Sequence, residues 1–115
     1  MRRETGMTKS VIRSGVCGFT TEVVARAESE FCSLMIDSDC PTIQKLAEEL
    51  RQVDPREEIT YRGKGPITLE LARQHCLHPA CPVPAGIIKA VEVEAGLALP
   101  KDAAIVVTKI GDRAG

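Results

Sequence analysis

The sequence predicts an α+β domain in which helices cover one face of a small antiparallel sheet, and three observations carry that expectation. Residues 19–28, FTTEVVARAE, alternate apolar and polar side chains as a half-buried strand does. Residues 41–53, PTIQKLAEELRQV, change to the i, i+3, i+4, i+7 spacing of an amphipathic helix. The strand-like segments come first and most helical ones follow, a segregation typical of α+β order rather than of alternating βαβ units. The 115 residues fit one such domain. Residues 1–9 are expected to form a flexible tail and residues 10–115 the domain.

Taken in order, SVIRSGV (residues 10–16) reads as a first strand that bends at Gly15. In the second, Phe19, Thr21, Val23, Ala25 and Ala27 share a face. The connection ESE leads to FCSLMID (31–37), with Cys32, Leu34 and Ile36 on one face, and the pair reads as a hairpin. Pro41 suits the first turn of a helix, which makes Cys40 its N-cap residue. Ile43, Leu46, Ala47, Leu50 and Val53 form the stripe of that helix, and Asp54-Pro55 ends it. REEITYRGKGP (56–66) is a polar connector with room for a short strand. ITLELARQHC (67–76) gives a second helix, with Leu69, Ala72 and Cys76 along one side. A third, PAGIIKAVEVEAGLAL (84–99), is ended by Pro100. The first and third helices are expected on the same face of the sheet. The β-branched run AAIVVTKI (103–110) is expected to return to the sheet as an extra C-terminal strand.

Composition narrows the function. Phe19, Phe31 and Tyr61 are the only aromatic residues, so the core is aliphatic and there is no platform on which bases could stack. Fifteen basic residues against sixteen acidic ones leave no electrostatic footprint for nucleic acid or a membrane surface. No apolar run approaches the ~20 residues of a membrane span. The start, MRRETGMTKS, is charged and lacks the apolar region of a secretory signal. Five cysteines, an odd number without an export signal, point to a reducing cytoplasm and to free or metal-bound thiols.

Cys17, Cys40 and Cys81 fall at the ends of expected elements. Cys17 enters a strand beside Gly18, Cys40 caps a helix, and Cys81 approaches another. Thiols near helix N-termini feel the positive end of the dipole, which favours the thiolate, the form that binds metals and attacks electrophiles. Cys32, mid-strand on the apolar face, is assigned to the core. Cys76 either continues the stripe of its helix or joins the site. His78, in CLHPACPVP, either supplies a nitrogen ligand or makes a hydrogen bond that holds the loop. The C-x-H-x-x-C spacing is not that of a zinc finger. Three readings follow. One is a metal or iron–sulfur domain of scaffold or carrier type, with Cys17, Cys40 and Cys81 completed by His78 or Cys76 around zinc or a cluster. Another is a thiol redox protein or thiol enzyme in which Cys81 attacks and Cys76 or Cys40 resolves. The last is a structural or interaction domain whose cysteines only pack.

The CGF of Cys17, the DCP of Cys40 and the ACP of Cys81, ahead of an AGIIKA helix, resemble the iron–sulfur cluster scaffolds IscU and the N-terminal domain of NifU. The resemblance spans roughly residues 15–99 and implies that these three cysteines hold a nascent cluster exchanged with donor and acceptor proteins. Phe19 stands where that family has aspartate, Ala80 where it has histidine, and its chaperone-binding Leu-Pro-Pro-Val-Lys segment has no counterpart. The chain is similar more closely to a family of small prokaryotic proteins with the same CGFTT, SDCP and CPVPAGI blocks, a resemblance that implies no particular activity.

Overall fold

The structure is a computed structural model and describes residues 6–111. Four antiparallel strands lie in the order of the chain: β1 (Thr8–Arg13), β2 (Thr20–Ala27), β3 (Cys32–Ser38) and β4 (Gln52–Val53). Between β3 and β4 runs α1 (Pro41–Glu49), and after β4 come α2 (Pro55–Glu58), α3 (Ile67–His75) and α4 (Val83–Glu94). The predicted α+β class therefore holds, with the edge strand β4 in place of the expected C-terminal strand and one more helical turn, α2, than the sequence suggested.

Register explains the buried face. Thr21 pairs with Ser38, Val23 with Ile36 and Ala25 with Leu34, so every inward residue of β2 meets an inward residue of β3. Ile12, Val23, Ala25, Cys32 and Leu34 then share one core with Ile43, Leu46, Leu50, Leu71, Val83, Ile87, Ala90 and Val91. Helix α4 lies over β1 and β2 and α1 over β3, on the same face as expected, while α3 touches the other two helices. Gly86 lets α4 approach β1: a Cβ there would sit 2.3 Å from Cγ1 of Ile12. The Ser10 hydroxyl donates to the Gly86 carbonyl at 2.9 Å. Glu94 fixes the other end of α4, accepting from the Thr8 hydroxyl (2.8 Å) and the Ala27 N–H (2.9 Å). That carboxylate ties a helix to two strands.

Four expectations are corrected. Strand β1 begins at Thr8, inside the expected tail; residues 1–5 of that tail lie outside the described residues. Helix α1 ends at Glu49, not at 53, because Leu50 leaves helical geometry and Val53 is drawn into β4 opposite Cys32. The polar connector holds a helical turn rather than a strand. Asp54 caps that turn through the Arg56 N–H, with Pro55 at its start. The C-terminal run AAIVVTKI joins no strand: residues 101–110 carry no regular structure and are exposed. Strand propensity reflects packing against neighbours, and this segment pairs with no strand among the described residues.

Glu58 is the least expected core residue. Its side chain, 1 % exposed, accepts from the N–H of Ile67 (2.7 Å) and of Thr68 (3.3 Å) at the start of α3. Pro66 at the N-cap position has no capping side chain, so a carboxylate from α2 satisfies the orphan donors and meets the positive helix end.

Candidate metal centre

Sequence and local geometry converge at one end of the domain. The β1–β2 turn carries Cys17, with glycines of positive φ at 15 and 18 and the Gly18 N–H bonded to the Gly15 carbonyl at 2.8 Å. At the same end β3 passes into α1, where the Asp39 N–H donates to the Thr20 carbonyl. Cys40 is the N-cap residue of α1, as expected. A buried pair of hydroxyls, Thr21 and Ser38 (2.7 Å), steadies this junction: Ser38 Oγ also accepts from the Cys40 N–H at 3.0 Å. Across from it, α3 ends at His75 and Cys76 becomes its C-cap residue, its N–H bonded to the Ala72 carbonyl at 2.8 Å. Residues 78–81 then turn, with the Cys81 N–H directed at the His78 carbonyl (3.4 Å), and α4 starts at Val83. Prolines at 79, 82 and 84 limit the freedom of this loop before anything binds.

The thiols of Cys40, Cys76 and Cys81 are half-buried against the margin of the hydrophobic core. They are neighbours in charge as well. The Cys76 thiol is pushed up to about 11, first by burial and then by Cys81 and Cys40, whose negative charge would repel its own. Cys40 behaves oppositely. Burial pushes its thiol up, but the Thr42 hydroxyl, 3.2 Å from Sγ, and the Ile43 and Thr42 N–H groups outweigh that and hold its pKa below the ordinary value. The helix start thus favours the Cys40 thiolate, as the sequence suggested.

Cys17 and His78 are more exposed than these three. Cys17 is exposed in its turn at the same end of the sheet. His78 is exposed and lines a groove next to Cys76 and Cys81. His75 meets Glu49 on α1, Nε2 to Oε2 2.7 Å, and so joins two helices instead of entering the site. Cys32, 1 % exposed, is core; burial first, then nearby Glu94, raises its pKa to about 11. All five cysteines are free. Among the described residues, no group of three or more His, Cys, Asp or Glu side chains is already arranged to hold a metal ion.

The groove runs between α3 and α4 and has a volume of about 730 Å³. Leu69, Ala72, Ala85 and Ile88 make its apolar lining, Arg73 and Lys89 bring positive charge, and Cys76 and Cys81 form part of its wall. Sequence reasoning missed it, because the spacing of α3 and α4 is set only when both pack on the core. No helix among the described residues is long and apolar enough to cross a membrane.

No curated protein and no solved structure matches the chain. A family model does match, over residues 8–107, which takes in all four strands, all four helices and every cysteine. The chain belongs to that family, a family of unknown function designated DUF6951.

Proposed function

We propose that the protein binds zinc or an iron–sulfur cluster through Cys40, Cys76 and Cys81 and passes it between partner proteins. The observation that carries this reading is the grouping of three half-buried thiols, one at the start of α1 and two in the α3–α4 connection, two of which disfavour ionisation of the third. A thiophilic cation relieves that repulsion, because metal binding replaces the thiol protons and links otherwise repelling thiolates. Three sulfurs suit zinc or iron–sulfur chemistry and not the oxygen-preferring ions. Cys17 and His78, both exposed, are the candidates for a fourth ligand. An open groove along two of the thiols suits exchange better than permanent storage, since purely structural metal sites are closed. Cluster donors and acceptors are therefore the expected partners, and a reducing cytoplasm the expected compartment. The likeness to IscU and NifU fits this reading through Cys40 and Cys81; this reading sets Cys76 in the trio where the resemblance sets Cys17.

A thiol-redox function draws on the same group. In it the nucleophile is Cys40, whose thiolate the α1 start favours, rather than Cys81, and Cys76 and Cys81 form the dithiol. Metal analysis after purification without oxygen separates the two. Stoichiometric zinc or iron that is lost in Cys40→Ser, Cys76→Ser and Cys81→Ser but kept in Cys32→Ser supports the metal site. A metal-free protein with one reversibly oxidised cysteine pair supports the redox reading.

A further inference from the structure

The segment after α4 is composed like a strand yet pairs with no strand among the described residues. Ile105, Val106, Val107 and Ile110 are 82 %, 87 %, 88 % and 91 % exposed. Single exposed apolar residues are ordinary, but a contiguous β-branched run is the mark of an interaction surface. Helix α4 stops at Glu94, short of the expected end at 99, because Gly96 takes a left-handed conformation; Pro100 then restricts Leu99 to extended geometry, so the segment leaves the domain as open chain.

The sheet has a place of matching length. One edge is blunted, since β4 covers only Cys32 and Ser33 of β3. The other is the full six residues of β1, bonded to β2 on one side and, among the described residues, to no strand on the other. Such an edge is a ready template for an added strand. Pairing within one chain works against the sheet's own order. Helix α4 runs antiparallel to β1, with Gly86 at Ile12 and Glu94 at Thr8, so a strand returning from it along the same β1 would be parallel. Parallel pairing is slightly the weaker mode, and the rest of this sheet is antiparallel.

We propose that two copies of the chain form a dimer in which residues 103–110 of each add antiparallel to the β1 edge of the other. A two-fold exchange of this kind is self-complementary, because every copy supplies both the strand and the edge. The alternation of the segment fits. Either Ile105 and Val107, or Ala104, Val106 and Ile110, extends the apolar layer beneath α4. The other set lies beside Val11, which is 44 % exposed on the open face of the sheet.

Sedimentation in reductant, with amide hydrogen exchange on the full chain, tests this in the natural sequence and in the double variant Val106→Pro, Val107→Pro. The natural chain is expected to be a dimer with slowly exchanging amides between Ala104 and Lys109. The double variant removes two successive strand N–H groups, one of which faces β1 in either register, and is expected to be a monomer whose amides outside the tail and β1 keep their protection. A monomeric natural chain overturns the proposal, as does a dimer that survives the double variant. Slow tail exchange in a monomer overturns it too, by assigning the segment to its own β1.

Discussion

Glu58 offers a quantitative test of how α3, and with it Cys76, is held in place. Replacing Glu58 with alanine removes the acceptor of the Ile67 and Thr68 N–H groups at the start of α3. Hydrogen bonds to charged groups contribute about 1.5–3 kcal/mol each. The 2.7 Å bond to Ile67 is placed in that range at about 2 kcal/mol, and the longer 3.3 Å bond to buried Thr68 at about 1 kcal/mol. Loss of a carboxylate at the helix N-terminus adds about 0.5 kcal/mol. Glu58→Ala is thus expected to lower stability by about 3.5 kcal/mol, a fall in melting temperature of roughly 15 °C for a domain of this size. Glu58→Gln keeps one acceptor oxygen and should lose about half as much. Glu57→Ala, at the neighbouring half-buried position whose carboxylate caps no helix, should stay within about 0.5 kcal/mol. Urea unfolding of the four proteins at constant pH measures this. A Glu58→Ala protein within about 0.5 kcal/mol of the original would refute the assignment of Glu58 as the cap of α3.

Gly86→Ala forces a Cβ against Ile12, a clash costing about 1–3 kcal/mol, while the helix gains about 1 kcal/mol from alanine. A net loss of about 1 kcal/mol in denaturant unfolding is expected, and in an Ile12→Ala background the same change should turn neutral or stabilising. Cys32→Ala should cost about 1 kcal/mol by the same assay and leave bound metal unchanged. Because folded Cys32 keeps its proton up to about 11 while the unfolded thiol loses it near 9.0, its contribution is complete below pH 9 and falls as pH rises toward 11. Stability of the metal-free protein followed from pH 8 to 11 should accordingly decline less steeply in Cys32→Ala than in the original.

Much of the fold was legible where one side chain face had to be buried. Val23, Ala25, Leu34 and Ile36 declared the β2–β3 register because a slip of one residue would turn all of them to solvent. Pro41 and the Ile43–Leu46–Leu50 stripe located α1. What stayed hidden depends on partners distant in sequence. Two-residue β4 has no periodicity to read, and Glu58 looks like any surface glutamate until α3 is placed above it. AAIVVTKI was misassigned because β-branched composition states a preference for a sheet without saying whose. At the site, Cys40 and Cys81 were recognisable from the helix starts beside them. Cys76 was ambiguous because the same residue continues an apolar stripe and ends its helix facing two other thiols, and only packing of α1, α3 and α4 brings those facts together.

The central claim is that Cys40, Cys76 and Cys81 act as one set of ligands, and X-ray absorption at the metal edge of protein loaded with zinc or iron tests it most directly. Three or four sulfur neighbours at about 2.3 Å are expected, with one fewer sulfur, or no bound metal, in Cys76→Ser. Neighbours that are only nitrogen or oxygen at about 2.0–2.2 Å, or a sulfur count that Cys76→Ser leaves unchanged, would contradict it.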